Sequence, residues 1–268
     1  MVPDHPGHRE ADPAVVQTPS ESHVKEIPRS DTDSITVVIP ARAGSERVKH
    51  KNTRPFASYE GGLLELKLRQ LTRTPEVDKV IVSSNAPAVL DYTAGFAQKH
   101  QDQRIVALER PDELGRSSTP MSVFIDYVAQ LQDTGTMCMT HVTHPLIGSK
   151  HFSELISAWR SASAQGHDSL LTVTKRHTFL WDENGPYNYD PTHEKWPRSQ
   201  DITPLYEINH GAYLIPFRVM REAGDRVGHH PHMYELPESV VLDIDWEDQF
   251  NLLEDIVRAK ELRGISIL

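Results

Sequence analysis

"ITVVIPARAGSERVKHKN", Ile35–Asn52, poses the question on which the fold turns. Branched apolar residues run to Pro40 and then give way to glycine, serine and the basic side chains Arg42, Arg47, Lys49, His50 and Lys51. The apolar run reads as a buried strand. A strand that empties into a Gly-containing turn before a helix can aim several backbone N–H groups at an anion. Arg42 and Lys51 would then supply balancing charge. A solvated surface turn fits the same residues. The loop has neither the GK[ST] of a Walker A loop nor a GxGxxG fingerprint.

Downstream, short apolar runs alternate with amphipathic ones. Strands are predicted at 35–40, 77–84, 104–109, 137–142, 168–175, 211–216 and 239–245, and helices at 62–73, 86–99, 119–132, 149–165 and 247–262. The first helix carries Leu63, Leu64, Leu66, Leu68 and Leu71 among polar positions. Such alternation indicates βαβ units: an α/β fold with a mainly parallel sheet covered on both faces. Right-handed crossovers place the loops after the strands along one sheet edge, where ligands bind.

The chain has 268 residues, 38% of them hydrophobic and 25% charged, which suits an ordinary soluble globular protein. Its net charge of −10 argues against nucleic acid or anionic membrane as a partner. An anionic ligand would need local help from clustered cations, oriented N–H groups or a divalent metal. No apolar window is long enough to span a bilayer, and no secretory leader is expected from the N-terminal sequence. The single cysteine, Cys138, excludes an internal disulfide and favours a reducing compartment such as the cytoplasm.

Residues 1–33, rich in Pro, Asp, Glu, Ser and His, are expected to form a disordered arm, with the folded domain at 34–268. Residues 176–209, with Trp181, Trp196 and several aromatics, are too long for a simple connection and read as a substrate lid, a dimerisation arm, or both. The "GHHPHMY" tract (His229, His230, His232) reads as an exposed loop rather than a zinc site.

Four segments, in order, resemble the acylneuraminate cytidylyltransferases. "IPARAGSERVKHKN" is similar to their N-terminal signature, matching at Arg42, Gly44, Ser45, Lys51 and Asn52, with Glu46 departing from it. "ERPDELGRSSTPM" carries the matching Arg110; by itself it also reads as a helix start, with Ser117, Ser118 or Thr119 capping and Pro120 as the first helical residue. "THVTHPLIGS" keeps Thr143, Pro145 and Leu146 but has His141, His144 and Ile147 where Gln, Ser and Arg are usual. "DIDWEDQFNLLE" matches at Asp243, Asp245 and Glu254, with Gln249 at a usual Asp. Two carboxylates at i and i+2 of a strand share a face and suit a hard cation. Asp245 alone would also serve as a helix N-cap.

The resemblance covers about residues 35–260. It implies a three-layer, Rossmann-like nucleotide-diphospho-sugar transferase fold with a protruding arm. It implies a cytidylyltransferase that moves CMP from CTP to a sialic-acid-like α-keto acid sugar and releases pyrophosphate. Kdo, another acidic acceptor, or a non-catalytic nucleotide-binding relative are the alternatives. It implies Arg42, Lys51, Asp243 and Asp245 as catalytic residues, with Mg²⁺ on the two aspartates. Gly44, Ser45, Asn52, Arg110 and His141 join Arg42 and Lys51 at the nucleotide. Thr143, Lys175, Arg198, Gln200 and Gly211 fall on the acceptor side. A carboxylated acceptor wants an Arg fork or a Lys charge, and Lys175 and Arg198 are the candidates. The exchanged arms of the family imply a homodimer.

Overall fold

The computed structural model describes residues 34–44 and 47–268; the expected N-terminal arm, Ser45 and Glu46 lie outside the described residues. The strands are β1 (Ile35–Pro40), β2 (Lys79–Ser84), β3 (Ile105–Glu109), β4 (Thr136–Met139), β5 (Ser169–Arg176), β6 (Trp181–Asp182), β7 (Gly185–Pro186), β8 (Leu205–Pro216) and β9 (Pro231–Glu235). The helices are α1 (Gly62–Thr72), α2 (Pro87–His100), α3 (Met121–Ala129), α4 (Ser149–Ala164), α5 (Phe217–Ala223) and α6 (Glu247–Leu262). Seven strands form one sheet in the order β3-β2-β1-β4-β8-β5-β9. All neighbours are parallel except β8, which runs antiparallel to both β4 and β5.

Strand alternation sorts the side chains into two cores. Val37, Ile39, Cys138, Leu170 and Leu214 face α1, α2, α4 and α6, whereas Val38, Met137, Met139, Leu171 and Tyr213 face α3 and α5. This is the three-layer arrangement expected of a doubly covered sheet. The chain winds outward from β1 to β3 and then returns to the other side of β1 with β4. That reversal opens a crevice beyond the carboxyl ends of β1 and β4. Among the described residues, no helix is long and apolar enough to cross a membrane.

Three expectations are corrected. Residues 239–245 form no strand, although SVVLDID alternates as one would. The position beside β5 is taken by β9, and the segment instead makes single bonds such as Ile244 N–H to the Thr143 carbonyl (3.0 Å). The histidine tract is only partly a loop: Pro231–Glu235 is an edge strand, with proline at its first residue, where no ladder bond is lost. Third, the arm is shorter than expected, because 205–209 belong to the 12-residue β8. What remains carries the β6–β7 pair and packs on itself. Phe179 meets Tyr189 edge-on at 5.1 Å and Trp196 at 5.7 Å, and Asn188 ties Leu180, Thr178 and Thr203 together. Helix α5 had no sequence signal beyond Gly224, which ends it in the left-handed region at φ 62°.

Helix α6 docks through Phe250, fully buried, edge-on to Phe56 at 5.2 Å and beneath the Arg54 guanidinium at 4.2 Å. Phe250→Ala is expected to cost about 3–5 kcal/mol in urea unfolding, and Phe250→Leu less than half of that. A cost below about 1 kcal/mol would mean that α6 docks without this contact.

Candidate active site

The loop after β1 is held in place before any ligand arrives. Ala41 N–H reaches the Ser83 carbonyl (3.0 Å), Ser84 Oγ donates to the Ala41 carbonyl (2.6 Å), and Asn85 Oδ1 accepts from Ala43 N–H (2.9 Å). Gly44 has φ 73° and is exposed. Asn52 turns its amide toward the Arg42 carbonyl (3.4 Å), and its own carbonyl accepts from Leu64 N–H at the start of α1 (2.9 Å).

Opposite that loop stands the acidic segment. Ile244 is fully buried; its N–H binds the Thr143 carbonyl, and its carbonyl accepts from Lys51 Nζ at 2.7 Å. Asp243 and Asp245, on either side of it, both line the cleft. Asp245 does not cap α6, contrary to one reading of its position. Trp246 holds the cap position, and Gln249 Oε1 accepts from both Asp245 N–H (2.7 Å) and Trp246 N–H (3.0 Å). The Asp245 carboxylate is therefore free for other work. It meets Arg47 Nη2 at 2.9 Å and Lys51 Nζ at 3.9 Å. Burial lowers the Lys51 pKa, and Asp245 and Asp243 pull it back up. Glu254 is spent on structure, accepting from Ala57 N–H (2.9 Å) and Arg258 (2.8 Å).

The crevice has a main lobe of about 510 Å³, bounded by Arg42, Arg47, Lys51, Asn52, His141, Thr143, His144, Asp243 and Asp245. A second lobe of about 300 Å³ shares Pro40, Arg42, Met121 and His141 with it, and adds Arg110, Arg116, Ser117, Thr119 and Arg226. Gly44 lines a third pocket, also about 300 Å³, on the outer side of the basic loop. Arg110 is buried over the Phe124 ring (5.0 Å), and its Nε has no partner among the described residues. Burial depresses its pKa. The expected cap of α3 is different: Pro120 occupies the cap position, and the Thr119 hydroxyl donates instead to the Glu113 carbonyl.

The third loop, 143–148, is pinned from beneath by α1. Lys67, fully buried, donates to the carbonyls of His144 (3.1 Å) and Ile147 (2.9 Å), and Gln70 donates to those of Pro145 (2.7 Å) and Ile267 (2.8 Å). Burial brings the Lys67 pKa down to about 7, and even a neutral amine has the two N–H bonds these carbonyls require. His144 Nε2 lies 3.0 Å from the Asn209 carbonyl, which can only accept, so that nitrogen carries the proton. The neutral ring then leaves Nδ1 buried, 3.8 Å from Asp243 Oδ1 and without a hydrogen-bond partner among the described residues.

Of the acceptor-side residues named from the sequence, Thr143 alone lines the main lobe. Lys175 reaches Glu235 (3.9 Å) over the Tyr206 ring, and Arg198 is forked onto Asp201 (2.8 and 3.0 Å). Gln200 is exposed in a short 3₁₀ turn, and Gly211 is buried in β8, its carbonyl held by Thr140 Oγ1 (2.8 Å). Arg47, Arg116, His144 and Arg226 line the crevice but were absent from the sequence-derived site. Arg226 lies beyond every matched segment, so only folding could reveal it.

Burial drives the His141 pKa down to about 3, with His144 and Arg226 adding to the effect; His144 is lowered too, chiefly by burial and against the pull of Asp243. Unfolding restores an ordinary value near 6.5. The unfolded chain then binds more protons, so stability rises with pH across that window. Stability is expected to hold above about pH 6.5 and to fall as the pH drops toward about 3. In urea titrations at several pH values, His141→Gln should flatten that acid limb. An unchanged limb would show that the folded ring titrates freely.

A family model described as cytidylyltransferase matches residues 36–266. The chain is 26% identical over 230 residues to N-acylneuraminate cytidylyltransferase A of Danio rerio, a match covering 81% of this chain and 50% of that protein. It is 24% identical over 236 residues to pseudaminic acid cytidylyltransferase of Campylobacter jejuni, covering 85% of this chain and 96% of that one. The chain thus spans about half the length of the fish relative and nearly all of the bacterial one. Among solved structures, CMP:2-keto-3-deoxy-manno-octonic acid synthetase complexed with CTP superposes with a TM-score of 0.61 at 13% identity, over 85% of this chain and 100% of that one. The 4-diphosphocytidyl-2C-methyl-D-erythritol synthase of Anaerococcus prevotii gives 0.60 at 14% identity, over 85% and 97%. These two likenesses concern the fold alone.

Proposed function

This chain belongs to the cytidylyltransferase family, and from that premise we propose that it transfers CMP from CTP to an acidic, sialic-acid-like sugar with release of pyrophosphate. One observation carries the reading: a basic loop and a carboxylate pair, from distant parts of the chain, line the same lobe at the carboxyl edge of the sheet. The acceptor hydroxyl oxygen bonds to the α-phosphorus and gives up its proton to water, the bond to the bridging oxygen breaks, and pyrophosphate leaves. Such a displacement depends on positioning and on charge stabilisation more than on covalent help from the protein.

The residues divide that work by place. Arg42, Arg47 and Lys51 face the triphosphate from the β1 loop. Arg110, dry and unneutralised, sits with Ser117 and Thr119 where the nucleoside end would lie. His141 stands where the lobes join, and Thr143 borders the acceptor. The donor set fits Mg²⁺: Asp243 and Asp245 offer hard oxygen ligands, and this ion is commonly held by one or two carboxylates plus substrate phosphates. Bound there, it would neutralise the phosphates and the departing pyrophosphate. The Arg47–Asp245 pair is half-exposed, 49% and 42%, so it is weak enough to give way to a metal triphosphate.

The exposed aromatics of the arm, Trp181, Tyr187 and Trp196, support a homodimer built on this segment. Sedimentation should give twice the 30.3 kDa chain mass, and a clean monomer would overturn the assembly.

Pyrophosphate release from CTP and Mg²⁺ is to be measured with N-acetylneuraminic acid, pseudaminic acid and 2-keto-3-deoxyoctonate. At least one should be turned over. Asp243→Asn and Asp245→Asn should each lower kcat by about a hundredfold or more, the scale seen when a group that stabilises transition-state charge is lost. No turnover with any acid, together with no CTP binding, would sink the enzymatic reading. Full activity in Asp245→Asn would sink the metal assignment alone.

A further inference from the structure

The charged acceptor needs a cation, and the two foreseen from the sequence stand outside the crevice. Arg198 is 79% exposed and forked onto Asp201, and Lys175 pairs with Glu235. Neither lines the crevice. Arg226 lines the second lobe, across from Arg110, and has no carboxylate partner among the described residues. Arg226, just after α5, has its guanidinium carbon 4.2 Å from the centre of the Tyr213 ring, and its described side-chain hydrogen bond runs to the Met139 sulfur, a weak acceptor, at 3.8 Å. We propose that Arg226 binds the carboxylate of the acceptor sugar and so selects for acids; this rests on the reading of the site given above.

The geometry favours that role over a purely structural one. Tyr213 is buried, and its hydroxyl lies 2.6 Å from His210 Nδ1, so the surface on which Arg226 stacks is fixed. A stacked guanidinium keeps its edge N–H groups free for a planar carboxylate. His210 stands at φ 57°, an unusual conformation for a residue with a side chain. It falls where β8 bulges: Leu171 pairs with Tyr213 but Val173 with Ile208, leaving 209–212 without strand partners. Thr172 and Asn209 fill that bulge with hydrogen bonds (Thr172 Oγ1 to Asn209 Oδ1, 2.6 Å). The bulge brings Asn209 to His144 and His210 toward Arg226, so the β8 wall of the crevice is built as a unit.

The second lobe is walled by different elements on its two sides. Arg110, Ser117 and Thr119 come from the β3–α3 side, whereas Tyr213 and Arg226 come from β8 and the turn after α5. No carboxylate lines the second lobe, so an incoming anion has no resident competitor there. His141, at the junction, lines the second lobe together with Arg226.

The test compares acids with their amides. Whichever of the three acids named above the wild type turns over fastest is assayed beside its C1 carboxamide, with CTP affinity measured by calorimetry. The wild type should prefer the acid by about tenfold to a hundredfold in kcat/KM, the range of a charge-assisted hydrogen-bonded pair. Arg226→Met should reduce that preference to less than about threefold, through the acceptor KM, and leave CTP affinity within about twofold. Arg226→Lys, which keeps charge without the fork, should retain part of the preference and serves if the methionine variant melts early. An acid preference intact in both variants overturns the proposal, as does a fall in CTP affinity with the preference unchanged, which would put the guanidinium on the nucleotide. A wild type that turns over none of the acids overturns instead the reading on which this inference rests.

Discussion

The site hangs on the backbone of one buried residue. Ile244 donates to Thr143, accepts from Lys51, and inserts a fully buried side chain into the core. Those contacts join three loops that come from β1, from β4 and from the approach to α6. With Ile244 fixed inward, Asp243 and Asp245 face the cleft on either side of it. A strand would have given the same outcome by ladder bonds. Here a single apolar anchor and two backbone hydrogen bonds do it, which leaves the segment's remaining polar groups uncommitted to a sheet. Gln249 completes the arrangement by taking the capping role that Asp245 would otherwise fill. A capping carboxylate is tied to N–H donors of its own helix, and an amide in its place releases that charge for the crevice.

A chain of net charge −10 still concentrates cations where it needs them. Arg42, Arg110, Arg116 and Arg226 line the second lobe without a carboxylate among them. Of these only Arg110 is buried, and keeping a cation dry and unpaired costs stability, because the charged form loses water without gaining a partner. Arg110 shows the cost plainly: buried, stacked on Phe124, with an orphaned Nε and a depressed pKa. Nothing in the packing of α3 requires a cation there. An anion that arrives with its own charge removes the penalty, which is how stability sacrificed in the free protein reappears as ligand affinity.

The parts legible in the sequence are those whose signal is local. The β1 strand and its basic loop, the five longer helices and the Asp243–Ile244–Asp245 triplet each announce themselves within a dozen residues. What could not be read depends on pairing partners. SVVLDID alternates like a strand, but the place beside β5 is taken by β9, and the segment is held instead by single bonds to the loop after β4. The histidine tract has little β-propensity of its own and becomes an edge strand because β5 offers it a ladder. Lys67 looks like a solvated position on an amphipathic helix; it is buried only because the carbonyls of His144 and Ile147 come to lie above it. Spacing within a helix cannot show that.

The same limit explains why Lys175 and Arg198, named from the sequence, stand outside the crevice. Ile147 stands where the family it resembles has arginine, and here the side chain is fully buried, with Gly211 beneath it leaving no room even for a Cβ beside Ile147 Cδ1 (2.8 Å). A cation at 147 would have to enter an apolar wall next to Lys67, itself a buried amine. Two such groups in one dry pocket would repel and lose hydration together. The loop instead took an apolar anchor, and α1 satisfies its carbonyls. A guanidinium serving the crevice must then come from an element that faces it from the open side. The turn after α5 is such an element, and it carries Arg226 over Tyr213. If Arg226 serves the acceptor as proposed, the apolar residue at 147 and the cation at 226 divide one task between positions 79 apart in the sequence.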